Sequence, residues 1–315
     1  MKQFITTIVE EEYMSIGGFG HVFYDVLTAM FIAELCDIEY VHSPITTLGV
    51  QHHIGSNPGY TDDSVSWDTF LGFNIQSLPD LPKIKINFCD PFMSMDIDYV
   101  KNIILQQTKD VLFVQCNNCR IYPNEMYNYD QDVYLNVINK LRDQTYYLKH
   151  KTNTVNIAMH IRRGDWTSQP LDYNVNIIHI LQSIDSNVDY NLNIYSLGTD
   201  EQLNEIRDIL TPLSDRIIFH FNTDIYDTFK EILNADLVIG GHSNFPKIIS
   251  LFNNNPIVFL PYHDGIVQPL GTQKRHKLYY LGNNIEAYNN RIETNIYCKK
   301  NKNEILCIMN EKLNS

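Results

Sequence analysis

Arg162 and Arg163 stand side by side directly after an apolar run, Val155 to Ile161, and are followed by Gly164, Asp165 and Trp166. The run is short, rich in β-branched residues and ends in a polar turn, the pattern of a buried strand delivered into a loop. In open α/β sheets, ligands bind where strands end. A guanidinium is permanently charged and its planar fork holds two phosphate oxygens at once, so the pair suits an anion, with diphosphate the leading candidate. Two other readings compete. Arg163-Gly164-Asp165 matches an adhesion-type tripeptide, although such tripeptides act from exposed loop tips and not from the end of a core strand. One arginine can instead pair with Asp165 and anchor the turn. Adjacent residues on a strand point to opposite faces, so a single partner does not satisfy both.

Two further turns have a composition that accommodates anions. Ser15-Ile16-Gly17-Gly18-Phe19-Gly20-His21 follows an early apolar stretch, Ile5 to Val9, and precedes a helical pattern over Val22 to Leu35. Val22, Val26, Ala29, Met30 and Ala33 fall at helical spacing and make one apolar face. Glycines before a helix start let a ligand approach the backbone, and that helix end favours negative charge. The spacing is neither G-x-G-x-x-G nor a Walker loop, and a plain strand-to-helix turn explains it equally. The other turn is Ile239-Gly240-Gly241-His242-Ser243-Asn244-Phe245, where a strand, two glycines and a hydroxyl residue precede a helix. Free backbone N–H groups there can cradle a phosphate, or Ser243 can serve only as the helix cap.

These turns sit in a regular alternation. From Thr154 the chain reads as strand Val155–Ile161, helix 175–186, strand Leu192–Leu197, a helix capped by Thr199 or Asp200, and strand Arg216–Phe221. Helix Ile225–Asn234, strand Leu237–Ile239, helix Phe245–Phe252 and strand Pro256–Leu260 follow. Such alternation implies a parallel, doubly wound sheet. Before Thr154 the pattern is looser: a strand at the start, a helix over Val22–Leu35, short strands at Ile38–Val41 and Val111–Gln115, and a helix around Gln131–Leu148. We therefore expect an N-terminal domain over 1–150, a second domain over 151–282, and a helical segment over 283–315 that crosses back to the first.

Composition narrows the function. The 315 residues are 44% hydrophobic and 19% charged, which describes a globular protein with an ample core. A formal net charge of −13 opposes a nucleic-acid partner, since phosphate backbones demand a broad basic surface. A nucleotide substrate needs only a few local cations. No signal peptide or membrane anchor is visible, so the expectation is a cytoplasmic protein without an integral membrane segment. The six cysteines are scattered. Cys116-Asn117-Asn118-Cys119 lacks the second pair or the spaced histidines that a zinc site needs, and is read as two reduced thiols at a strand end.

Together the three turns resemble a known family. His160-Ile161-Arg162-Arg163-Gly164-Asp165 resembles the H-x-R-R-x-D motif of the GDP-fucose-dependent fucosyltransferases, the α1,2-, α1,6- and protein O-fucosyltransferase group, and Trp166 resembles the protein O-fucosyltransferase form. Gly18-Phe19-Gly20-His21 is similar to their glycine-rich opening, where Asn is usual at the position of His21. Ala235 to Gly240 with Ser243-Asn244-Phe245 is similar to their late strand and Ser-Ser-Phe, with Asn244 replacing the second Ser. The resemblance implies a GT-B architecture, two Rossmann-like domains with parallel sheets facing a cleft. It also implies an inverting, metal-independent transfer of fucose from GDP-fucose to a glycan or glycoprotein hydroxyl, without a cofactor. Neither Asp62-Asp63 nor Asp96-Ile97-Asp98 makes a convincing Asp-x-Asp metal motif.

The chemistry assigns the residues. Cleaving a glycosyl–phosphate bond builds charge on the departing diphosphate, and without a metal fixed cations and backbone donors must hold it. Arg162 is expected to grip the β-phosphate with Arg163 assisting or orienting, and Ser243, Asn244 and the N–H of Phe245 to close the other side. Gly18, Phe19 and Gly20 would line the sugar-nucleotide site. His160 either touches ribose or base, or is a hydrogen-bonded core histidine. Asp165 holds the arginine loop. Asp227 lies where the family reads guanine, while Asp224 caps a helix. His21 is the candidate base, because an imidazole titrates near working pH, with Glu11 and Glu12 behind it. Two alternatives stay open: a GT-B transferase using another nucleotide sugar, and a non-catalytic sugar-nucleotide or glycan-binding protein.

Overall fold

The computed structural model describes residues 2–7, 19–44, 68–86, 96–115, 120–121, 123–144, 154–163, 189–240, 243–252, 257–259 and 278–280. They divide into two compact units, one within Met1–Tyr147 and the other within Leu148–Ser315. Each unit is Rossmann-like, a sheet of parallel strands with helical connections. The helix expected over 175–186 and the segment 283–315 lie outside the described residues.

The first unit runs β1 (Gln3–Thr7), α1 (Phe19–Cys36), β2 (Glu39–Tyr40), β3 (Lys83–Ile86), α2 (Ile97–Leu105), β4 (Val111–Gln115), α3 (Pro123–Tyr129) and α4 (Gln131–Gln144). Its strands lie in the order β2-β1-β4-β3, all parallel. β4, Val-Leu-Phe-Val-Gln, is buried at every position, which is why its sequence shows no alternation: an inner parallel strand is covered on both faces. In α4, Tyr134, Val137, Ile138 and Leu141 are buried at three- and four-residue intervals, the periodicity of a helix laid against a core.

α1 differs from its expected form. Phe23, Leu27, Ala29, Phe31 and Ile32 are all fully enclosed, so the helix is covered around its circumference and not along one stripe. It packs against β1, α2 and α4 at once. It also begins at Phe19, not Val22, which places Gly20 and His21 in its first turn. The buried Phe19 ring, 5.8 Å from that of Phe23, fastens this turn to the core. Buried polar groups on α1 are matched from outside it. Asp25 Oδ1 accepts from Arg120 Nε at 3.1 Å, and Thr28 Oγ1 accepts from the N–H of Ile121 at 3.0 Å.

The second unit runs β5 (Val155–His160), β6 (Tyr190–Ser196), α5 (Asp200–Leu210), a 3-10 turn (Thr211–Leu213), β7 (Ile217–Phe221), α6 (Ile225–Asn234), β8 (Leu237–Gly240), α7 (Asn244–Phe252), β9 (Ile257–Phe259) and β10 (Leu278–Tyr280). The six strands are ordered β10-β9-β8-β5-β6-β7, all parallel. The chain thus builds outward from β5 to β7, returns to the other side of β5 for β8, and continues to β10. That reversal falls between β5 and β8, whose ends lie side by side with His160 opposite Gly240.

Local sequence explains the helix starts. Thr199 forms a full capping box with Gln202 ahead of α5, and Asp224 accepts the N–H groups of Tyr226 and Asp227 at 2.8 and 3.1 Å ahead of α6. Such caps are each worth about 1 kcal/mol. Asp96 does the same for α2, accepting from the N–H of Tyr99 at 3.0 Å. In the core of this unit Phe229 of α6 meets Phe245 and Phe252 of α7, with ring centroids 5.8 and 6.0 Å apart.

Candidate functional site

In an open parallel sheet, a crevice opens at the carboxyl ends of the strands where the connections diverge. In the second unit that place lies past His160 and Gly240. Two bonds fix the end of β5: the N–H of Ile161 donates to Tyr195 O at 2.9 Å, and Ser196 Oγ donates to Ile161 O at 2.8 Å. Arg162 and Arg163 then leave the sheet in different company.

Arg163 is buried, and its Nη2 donates to Glu205 Oε2 on α5 at 3.0 Å. It passes so close to the turn after β6 that a Cβ at Gly198 would lie 3.3 Å from Arg163 Cβ and 2.7 Å from Gln202 Oε1. The same turn is held by Asn222 in the left-handed region at φ 52°, whose side chain accepts from Gly198 N–H at 3.0 Å. A structural partner for one arginine was expected in Asp165; for Arg163 the structure supplies Glu205. Asp165 lies outside the described residues.

Arg162 is only half-buried. Its charge acts on both His160 and Lys247. His160 is half-buried, with its Nδ1 enclosed and without a hydrogen-bond partner among the described residues. Burial first, and then the Arg162 guanidinium, lower its pKa to about 4, so it is a neutral imidazole at physiological pH. Its ring lies 5.3 Å from Phe245. Ser243, also buried, accepts the N–H of Phe245 on its Oγ at 3.3 Å, the cap geometry anticipated for it. Lys247 follows one turn later on α7, 7% exposed. Burial and then Arg162 bring its ammonium down to about 8.

The second unit therefore gathers His160, Arg162, Ser243, Phe245 and Lys247 around the β5–β8 reversal, with a positive field and a helix N-terminus. Such an arrangement can hold an anion. Asn244 is the first residue of α7. Asp227 is exposed in the first turn of α6, which follows β7 in sequence, and its Oδ1 pairs with Lys230 Nζ at 2.5 Å. Phe19, Gly20 and His21 belong to the first unit, in the opening turn of α1, and Phe19 is a core residue there. Gly18 lies outside the described residues.

No protein-family model and no curated protein matches the chain. Among solved structures it is similar to a glycosyl transferase family 9 protein from Veillonella parvula, at 12% identity over 99% of this chain and 97% of the other, with a TM-score of 0.46. It is similar to POFUT1 in complex with GDP-fucose at 11% identity, over 82% of this chain and 97% of the other, TM-score 0.43. A third is NodZ alpha-1,6-fucosyltransferase soaked with GDP-fucose, at 12% identity over 81% and 94%, TM-score 0.41. Identities this low leave the chemistry to be argued from the residues themselves.

Two features of the structure had no counterpart in the sequence reading. Lys247 was passed over, although it stands four residues after Ser243, a spacing that puts both on one helical face. In the first unit His42 is buried between Tyr40 Oη, 2.7 Å from its Nδ1, and Asp68 Oδ1, 2.6 Å from its Nε2, and stacks on Phe73 at 4.0 Å. Both ring nitrogens are engaged, so this histidine ties β2 to the segment from Asp68. Asp98 accepts from Tyr129 Oη, joining α2 to α3. Cys36 is buried and its thiol is pushed up to about 11, chiefly by burial, which makes it an inert core residue. Cys116, Cys119, His52 and His53 lie outside the described residues. Among those described, no helix is long and apolar enough to cross a membrane.

Proposed function

We propose that the chain is an inverting, metal-independent GT-B glycosyltransferase that moves fucose from GDP-fucose to a hydroxyl of a glycan or protein. The observation that carries this is that His160, two residues before Arg162 at the end of β5, lies opposite Gly240 and 5.3 Å from the Phe245 ring in the first turn of α7. The motif resemblance of residues 160–165 and 243–245 gives the donor its identity.

In the reaction the bond between the sugar anomeric carbon and the β-phosphate oxygen breaks, and its electron pair leaves with the diphosphate. Arg162 holds the growing charge, aided by Ser243, Asn244 and the N–H groups opening α7. Arg163, fixed on Glu205, orients the turn that presents Arg162. A neutral His160 offers its ring to the nucleoside and adds no second charge beside Arg162. The acceptor hydroxyl forms the new bond from the opposite face and gives up its proton to a general base, for which the motif resemblance makes His21 the candidate. By the motif resemblance, Gly18, Phe19 and Gly20 are the candidates for the sugar side of the donor and Asp227 for the guanine edge.

Calorimetry of GDP binding to the wild type and to Arg162→Ala tests the site; equal affinities would remove its foundation. Donor hydrolysis with GDP-fucose, GDP-mannose and UDP-sugars then tests the donor. Tight GDP binding with no turnover of any donor or acceptor would make the chain a sugar-nucleotide-binding protein instead.

A further inference from the structure

We infer that Asp25 and Arg120 are a positioning pair for the transfer reaction, holding the opening of α1, and with it His21, at the carboxyl edge of the first sheet. The inference rests on the reading of His21 as the candidate base. β1 and β4 lie side by side and end together, with Thr7 opposite Gln115. From these two strand ends Thr7 Oγ1 and Gln115 Nε2 both donate to the carbonyl oxygen of Asp25, at 3.4 and 3.3 Å. Past β4, Arg120 closes on the Asp25 carboxylate with two prongs, Nε to Oδ1 at 3.1 Å and Nη2 to Oδ2 at 3.4 Å. Farther along α1, Thr28 Oγ1 accepts the N–H of Ile121 at 3.0 Å. The second turn of α1 is thus fastened to β1, to β4 and to the segment that follows β4. His21 stands four positions before Asp25, one turn away on the same face of the helix.

Thr7, Asp25, Thr28 and Gln115 are all buried, and the side chains of the ion pair are only 5% and 12% exposed. Taking a carboxylate and a guanidinium out of water is costly, and apolar residues of similar bulk in their place are often no less stable. Stability alone therefore does not account for the pair. What an ion pair with two parallel bonds adds is direction, since the planar fork fixes orientation as well as distance. Direction matters at this place. The first turn of a helix lacks part of its own hydrogen bonding, and a reacting group displaced by about 1 Å can lose about 100-fold in rate. Ligands of open parallel sheets also meet the chain at the carboxyl ends of strands, which is where the Asp25 bonds converge.

The test replaces the ion pair by apolar side chains, Asp25→Leu together with Arg120→Met, which leaves the Asp25 carbonyl and its two donors in place. Urea unfolding, calorimetric GDP binding and turnover of GDP-fucose are measured on the full chain. The double variant should unfold close to the wild-type midpoint and bind GDP with wild-type affinity. Its kcat should nevertheless fall about 10- to 100-fold. Arg120→Lys keeps the charge without the fork and should lie between the two, and it carries the test should the double variant fail to fold. Wild-type kcat in these variants, or a loss of kcat matched by an equal loss of GDP affinity, overturns the inference and leaves the proposed transfer standing. The same holds if His21→Ala turns over GDP-fucose as fast as wild type. A wild type that binds GDP yet turns over no GDP-fucose, with or without acceptors, ends the proposed transfer and the inference together.

Discussion

Arg163 Nη2 lies 3.0 Å from Glu205 Oε2, so the second arginine of the pair is buried and tied to α5 while the first is only half-buried. Two adjacent residues of one type have separate duties. Arg163→Met, which leaves Glu205 without its partner, should cost about 1–3 kcal/mol of stability and change GDP affinity only about threefold. Arg162→Ala should leave stability within about 0.5 kcal/mol and weaken GDP binding roughly 10- to 100-fold. Urea unfolding and calorimetry on both variants decide it, and the opposite pattern would exchange the roles.

His21 opens α1 in the unit that does not contain Arg162. If it is the base, His21→Ala should lower kcat by about 100- to 10,000-fold with little change in GDP affinity. A uniform rise in KM at constant kcat would instead make it a sugar-binding residue.

The neutral state of His160 has a consequence for acid stability. Its folded pKa is lowered to about 4 from 6.5. Between those values the unfolded chain binds the proton and the folded one does not, so stability is full above pH 6.5 and falls as the pH drops toward 4. His160→Gln should flatten that part of the curve, measured as unfolding midpoint against pH. An unchanged slope would mean the imidazole is open to solvent.

In the first unit, Asp25 and Arg120 pair at 3.1 Å with side chains only 5% and 12% exposed. Breaking an enclosed ion pair strands a charge, so Asp25→Ala should destabilise by about 3–5 kcal/mol. Adding Arg120→Met should recover part of it. A double variant no better than the single would show that the pair's worth lies in its other bonds.

The alternation of strands and helices was legible because inner parallel strands carry continuous apolar runs, as in Ile157 to Met159 and Leu237 to Ile239. Caps were legible for the same local reason: Thr199 and Asp224 bond within their own turns. β3 was not seen, since Lys83-Ile84-Lys85-Ile86 is four residues of an edge strand stabilised by its neighbour. α2 was not seen either, although Asp96, Ile97, Val100 and Ile104 carry its cap and buried face. At the site, the strand-end position of the arginines could be read, but the anchoring of Arg163 depends on Glu205 of α5, more than forty positions along the chain. Lys247 was missed because a lysine on a helix ordinarily marks solvent, whereas here it is buried, a product of tertiary packing that no local pattern reports.

A helix covered on every side has no inexpensive way to open. The amide protons in the middle turns of α1 can exchange with deuterated solvent only when the first unit comes apart as a whole. Their exchange rates therefore serve as a built-in gauge of that unit's global stability, readable without any ligand or assay of turnover.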